Sequence, residues 1–146
     1  MDQKILDYIK SQKVGVLAVE MMDGSPHAAT VHFANTENPL ILLFETYRES
    51  RKAEPLFAKK LTRASVVIGS NESDMKTLQL DGEVRLLDEQ EKIDLFQKIY
   101  LDKFSEKIEK SLEPKVVPFM FIPKWWRYTD WTKPEGKLIL SSEDKN

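Results

Sequence analysis

A chain of 146 residues is long enough for one domain with a single hydrophobic core and too short for two of ordinary size. With 41% hydrophobic and 32% charged residues and a formal net charge of -2, it has an ordinary globular balance, with no global attraction to nucleic acid or to an anionic membrane. The absence of cysteine excludes a disulfide scaffold, a thiolate nucleophile and any cysteine-ligated zinc or iron–sulfur site.

In chain order, residues 2–12 carry Ile5, Leu6 and Ile9 at helical spacing and predict a short amphipathic helix. This charged start lacks the apolar run of a signal peptide, and no stretch reaches the roughly eighteen apolar residues of a membrane span. A cytoplasmic protein is therefore expected. VGVLAVEM (14–21) and HAATVHFA (27–34) read as an antiparallel hairpin about the turn DGSP. NTENP (35–39) breaks the chain before the apolar strand LILLFET (40–46). Ala53, Leu56, Phe57 and Leu61 suggest a short helix, which starts either near Glu54 with Pro55 at its first position or at Ser50 with a kink.

ASVVIGS (64–70) and TLQLDGEVRLL (77–87) are further strands. Gly82 inside the second predicts a bulge, a bend or a close approach of other backbone. From Asp88 to Leu112 the apolar residues recur every three or four positions, giving one long helix or two shorter ones, with Asp88 or Glu89 as a cap. Residues 115–122 and 125–131 return to strands, and SSEDKN at the end is expected to fray. Consecutive strands joined by tight turns favour an antiparallel barrel over alternating βα units.

The segment from Phe44 to Ala53 holds the distinctive chemistry. It places the hydroxyls of Thr46 and Ser50 beside the Arg51 guanidinium and the Lys52 ammonium, where a strand ends and a helix begins. A phosphate suits that mixture of bidentate fork, mobile point charge, neutral donors and unpaired helix N–H groups. The alternative is a solvated helix face with Ser50 as its N-cap, since Glu45, Glu49 and Glu54 interleave with the cations.

Phe44, Thr46, Ser50, Arg51 and Lys52 reproduce an aromatic-x-Thr-x-x-x-Ser-Arg-Lys signature, and in this the chain resembles the small FMN-binding split barrels of the pyridoxamine 5′-phosphate oxidase-like family. Gly24, Pro26, His27 and Ala28 before the motif, and Gln79 and Gly82 after it, follow in the family's order. The resemblance implies a mainly β, α+β fold: a split β-barrel of about six antiparallel strands forming one domain over 1–146. A helix over 1–12 and a helical insertion over 88–112 complete it.

The same resemblance implies that Thr46, Ser50, Arg51 and Lys52 hold the FMN phosphate and ribityl region. Gln79 would approach the flavin or its phosphate end, although on pattern alone it is equally a polar residue on the wet side of its strand. Ala29, Thr30 and Val31 would pass under the ring with backbone contacts. The arginine that the family commonly carries on this strand is absent, as is the Asn-Pro after the motif helix. The Arg-x-His element of the full vitamin B6 oxidase is missing too, so pyridoxamine phosphate is not expected as substrate.

Trp125, Trp126, Tyr128 and Trp131 form an aromatic set, with Trp126 and Tyr128 on one strand face. It would either stack on an isoalloxazine ring, with Trp126 as a cofactor contact, or serve as core and subunit interface. His27 and His32 point to opposite faces and do not form a metal site. The implied protein is a homodimer with FMN between subunits, oxidising or reducing an unidentified small molecule with NAD(P)H or another electron donor. No side chain is singled out as a catalytic acid or base, and no nucleic acid, membrane or metal partner is expected. The alternative is a non-catalytic flavin-binding, stress-related or interaction protein of the same fold.

Overall fold

The computed structural model describes residues 1–69 and 71–144. Helix α1 (Gln3–Ser11) opens the chain, its first turn capped by the Asp2 carboxylate, which accepts from the Lys4 backbone N–H at 2.9 Å. Its apolar stripe buries Ile5, Leu6, Tyr8 and Ile9. Among the described residues eight strands follow: β1 (Val14–Glu20), β2 (Pro26–His32), β3 (Ala34–Glu37), β4 (Leu40–Tyr47), β5 (Thr62–Ile68), β6 (Lys76–Leu86), β7 (Val116–Asp130) and β8 (Leu138–Ser141). All strand pairs are antiparallel, in the order β2-β1-β5-β6-β7-β4-β3, with β8 pairing the far end of β7.

β2 and β3 are successive halves of one extended segment bent at Phe33, so the two ends of the strand order are joined through a single residue. That continuity curls the sheet into the expected split barrel. The barrel is filled by Leu17, Val19, Val31, Phe33, Leu42, Phe44, Val66, Ile68, Leu78, Leu80, Val84, Phe119 and Phe121, all buried. The Phe44 and Phe119 rings meet edge to face at 3.8 Å. A smaller core lies on the other side of β4. There Ala34, Leu43 and Met120 pack against Leu87 and against Phe96, Tyr100 and Phe104 of helix α3 (Gln90–Lys103) and its end. Among the described residues no helix is long and apolar enough to cross a membrane.

The strand count exceeds the six or so that the pattern suggested, for local reasons. β3 reads Ala-Asn-Thr-Glu and has no apolar alternation; it is a strand because β4 supplies its ladder, from Ala34 opposite Leu43 to Glu37 opposite Leu40. β8 likewise takes its pairing from β7. Segments 115–122 and 125–131 are one strand rather than two, running through Pro118 and Pro123 and ending at Asp130, so Trp131 lies beyond it. Pro123 is tolerated because it sits opposite Gly82, where the register shifts and no regular ladder bond is required. A Cβ on Gly82 would stand 2.1 Å from the Ile122 carbonyl oxygen, the close backbone approach its position predicts.

The two starts considered for the helix after β4 are resolved by geometry. A 3-10 turn (Arg51–Ala53) leads into helix α2 (Glu54–Ala58), with Pro55 in its first turn, where a missing N–H costs nothing. The insertion divides because Phe104 leaves the helical region (φ -126°, ψ 60°), and a 3-10 turn then leads to helix α4 (Ile108–Ser111). Glu89 occupies the N-cap of α3 without a side-chain capping bond and pairs instead with Lys92 at 2.8 Å. At the C-terminus, where fraying was expected, the Ser141 N–H donates to the Asp144 carboxylate at 2.6 Å. Ser70, the last residue of the expected strand 64–70, lies outside the described residues, as do Lys145 and Asn146.

Candidate anion-binding site

β4 delivers Thr46 to its C-terminal end, buried and opposite Val117 of β7. The chain then turns, with the Ser50 N–H donating to the Tyr47 carbonyl at 3.0 Å. The turn brings the Thr46 and Ser50 hydroxyls to 2.8 Å. Ser50 occupies the N-cap of the 3-10 turn but makes no capping bond with its side chain, so its hydroxyl remains directed at Thr46. Because α2 has only five residues, an anion held here would rest on side chains and not on a helix dipole.

Arg51 and Lys52 follow in the same turn, Arg51 exposed and Lys52 half-buried. Burial, and then the charge of Lys110, hold the Lys52 ammonium below the usual lysine range. Arg51 contributes to the electrostatic field at Asp23, whose carboxyl is lowered mainly by the Ser25 hydroxyl and N–H. Among the described residues neither Arg51, Lys52, Lys107 nor Lys110 lies within ion-pair distance of a carboxylate. The donor set of two hydroxyls, a guanidinium and an ammonium suits a phosphate monoester such as the one FMN carries.

The insertion adds cations that the motif does not contain. The Lys110 ammonium stands 5.0 Å from the Tyr47 ring centre, and that of Lys107 is 4.7 Å from the Phe104 ring. Ser111 donates to the Glu45 carboxylate at 2.6 Å, so α4 is tied to Glu45 and Tyr47, on the face of β4 opposite Thr46. The other Glu45 oxygen is buried without a hydrogen-bond partner. His32 packs edge-on against Phe104 at 5.5 Å, and burial, then Lys107 and Lys110, lower its pKa. Sequence reading passed over Lys103, Lys107 and Lys110; their four- and three-residue spacing was the signal available, although the break at Phe104 divides them among α3, the 3-10 turn and α4.

The remaining candidates lie elsewhere. On β2, Val31 is buried in the barrel, Ala29 is half-buried and Thr30 is exposed on the outer face. Paired positions carry a row across that face: Thr30 beside Val16, Val16 beside Val67, Val67 beside Gln79 and Gln79 beside Arg127. Thr30 and Gln79 thus share one side of the sheet. Trp126 is half-buried against the main core, opposite Leu80, and its backbone carbonyl accepts from the Ser142 N–H at 3.0 Å. Trp125 is half-buried and Trp131 is 44% exposed past the strand end.

Thr46 and Gln79 lie toward opposite ends of the β7 ladder: their partners there are Val117 and Arg127, ten residues from each other along the strand. A groove of about 630 Å³ is lined by charged groups including Glu20, Arg63, Asp81 and Lys124. Arg63 donates to Glu20 there, and Lys124 pairs with Glu83 at 2.6 Å. Among the described residues no three histidine or carboxylate side chains are placed to share a metal ion.

Residues 1–130 match the family model described as pyridoxamine 5′-phosphate oxidase. No curated protein matches the chain. Among solved structures, the chain is similar to the conserved hypothetical protein Rv2991 of Mycobacterium tuberculosis, at 19% identity and a TM-score of 0.71 over 89% of this chain and 84% of the other. It is similar also to a protein related to general stress protein 26, of the pyridoxinephosphate oxidase family, from Clostridium acetobutylicum (14% identity, TM-score 0.68, 98% of each chain). A third likeness is to a heme binding protein of Mycobacterium smegmatis, at 14% identity and a TM-score of 0.73 over 93% of this chain and 56% of that one. At these identities the structures share the fold.

Proposed function

Since the chain belongs to the pyridoxamine 5′-phosphate oxidase family, we propose that it binds FMN as a homodimer and acts as a flavin-dependent oxidoreductase on a small molecule. The observation that carries this reading is the turn after β4, where the Thr46 and Ser50 hydroxyls meet at 2.8 Å beside Arg51 and Lys52. Thr46 and Ser50 would donate to phosphate oxygens, while Arg51 and Lys52 would neutralise the dianion. β2 ends the strand order with one edge outside the ladder to β1, and so offers backbone groups at Ala29, Thr30 and Val31 to the ring system.

The separation of Thr46 from Gln79 supports the dimer. Two chains would let one flavin meet both residues, and the uncovered outer face bearing Thr30, Val67 and Gln79 is where a second copy would join. When bound, the flavin supplies the hydride or electron-pair chemistry. The chain binds and orients it, with NAD(P)H or another donor as the source of electrons. No residue of this chain is assigned as a catalytic acid or base.

The experiment is a visible absorbance spectrum of the purified protein, repeated after FMN addition and desalting. A retained flavin band that weakens when Arg51 and Lys52 are both replaced by alanine supports the reading. Its absence from well-folded protein refutes it. A non-catalytic flavin-binding or stress-related role is favoured by Ala29 and its neighbours, which leave β2 without an arginine, and by the likeness to a general stress protein relative. Reduction of the bound flavin by NADH or NADPH separates the enzyme from the binder.

A further inference from the structure

The geometry points to a two-fold axis that runs along the strands between β5 and β6 and joins a second copy of this chain to the outer face of β1, β5, β6 and β7. This rests on the dimer part of the reading above and adds which side chains meet. Residues two apart on a strand share a face, so the row through Val67 and Gln79 is followed by two more. The first runs Ala18, Ser65, Asp81 and Trp125, each paired with the next. The second runs Glu20, Arg63, Glu83 and Lys124. There Arg63 donates to Glu20 and stands opposite Glu83, while Lys124, next to the bulge, pairs with Glu83 at 2.6 Å and so reaches the same face.

From β1 to β7 the second row reads negative, positive, negative, positive, on strands about 4.8 Å apart. A two-fold along the strands lays β1 over the other copy's β7 and β5 over its β6, row upon row. Glu20 then meets the partner's Lys124, and Arg63 meets the partner's Glu83, so every charge in the row faces its opposite. A partner of uniform charge would meet as many like charges as opposite ones. The same operation sets the Trp125 indole over the partner's Ala18, in the groove of about 630 Å³ that Gly24, Ala18 and Ser65 keep open with their small side chains. It also brings the Ser65 hydroxyl to the partner's Asp81 carboxylate. Packed sheets keep their strands within about 30° of parallel, which holds the central pairs of each row in register. The outer cations are free to take a second partner: the side chains of Arg63 and Lys124 are 82% and 61% exposed despite their ion pairs within the chain. Glu20 also lies 3.8 Å from Lys59, which stands outside the row.

The dimer dissociation constant is measured by sedimentation equilibrium at low and moderate salt, with circular dichroism melts reporting the fold of each protein. The proteins compared are the parent, Glu20→Lys, Lys124→Glu, the double reversal Glu20→Lys/Lys124→Glu, and Ala18→Trp. Each single reversal is expected to weaken the dimer by about tenfold or more, because it sets like charges against each other across the interface. The double reversal recovers most of that loss, since the two exchanged charges face each other across the axis. Within one chain the same double change puts like charge beside both Arg63 and Glu83, so a role confined to the chain predicts no recovery. Ala18→Trp fills the groove that takes Trp125 and gives a folded monomer; if it does not fold, the exposed reversals decide. A double reversal no tighter than the single ones overturns the inference. A parent dimer that every variant preserves also overturns it, and leaves the dimer reading standing on another face. A parent that stays monomeric at high concentration overturns the dimer reading itself, and the inference with it.

Discussion

Lys103 offers a quantitative test of how this barrel tolerates charge. Its ammonium donates to the Gln12 carbonyl and lies 4.6 Å from the Phe33 ring, and its pKa is lowered from 10.5 to about 8 by burial first and by Lys13 second. Between pH 8 and 10.5 the unfolded chain keeps a proton that the folded chain has released. Stability therefore rises with pH across that window, and below it the folded state bears the whole penalty. At ~1.4 kcal/mol per pKa unit, a shift of this size corresponds to about 3 kcal/mol. Lys103 is only half-buried, and solvent screening reduces the usable part to about 1–2 kcal/mol.

Lys103→Met keeps the stem over Phe33 and removes the charge. It is expected to stabilise the protein by about 1 kcal/mol at pH 7 after loss of the bond to Gln12. The gain should shrink towards pH 9.5. Urea denaturation of both proteins at pH 7, 8 and 9.5 and constant ionic strength reads this directly. A variant no more stable than the parent at pH 7, with a gap that does not change with pH, would show that the bond to Gln12 outweighs desolvation and that the reasoning is wrong.

Gly82→Ala forces a Cβ to within 2.1 Å of the Ile122 carbonyl oxygen unless β6 and β7 separate; a loss of at least about 2 kcal/mol is expected in thermal or urea unfolding, and a change under 0.5 kcal/mol would contradict it. Val67→Glu places a charge in the row from Thr30 to Gln79, and on the dimer reading size-exclusion chromatography with light scattering should show a monomer that remains folded. A dimer unaffected by this change would move the interface to another face. The His32 ring should titrate higher when inorganic phosphate is added, because the anion offsets the field of Lys107 and Lys110 that, after burial, lowers its pKa; NMR of the imidazole protons follows this, and no movement on saturation counts against an anion site beside it.

Local patterns in the sequence carried much of the barrel. Alternation in β1 and β6, the turn at Gly24 and the break at Gly82 are properties of neighbouring residues, as is the Thr46-to-Lys52 spacing that marks the motif turn. Other features exist only through tertiary pairing. Ala-Asn-Thr-Glu becomes β3 because β4 completes its ladder, and β7 runs through two prolines because one of them falls at the bulge opposite Gly82. The same division applies to the candidate site. A contiguous motif can announce Thr46, Ser50, Arg51 and Lys52, since a turn sets their relation within seven residues. Lys110 lies fifty-eight residues after Lys52, and its place over Tyr47, with Ser111 on Glu45, is decided only by the packing of α4 on the face of β4 opposite Thr46. That placement depends on where the insertion folds back and not on the residues beside it.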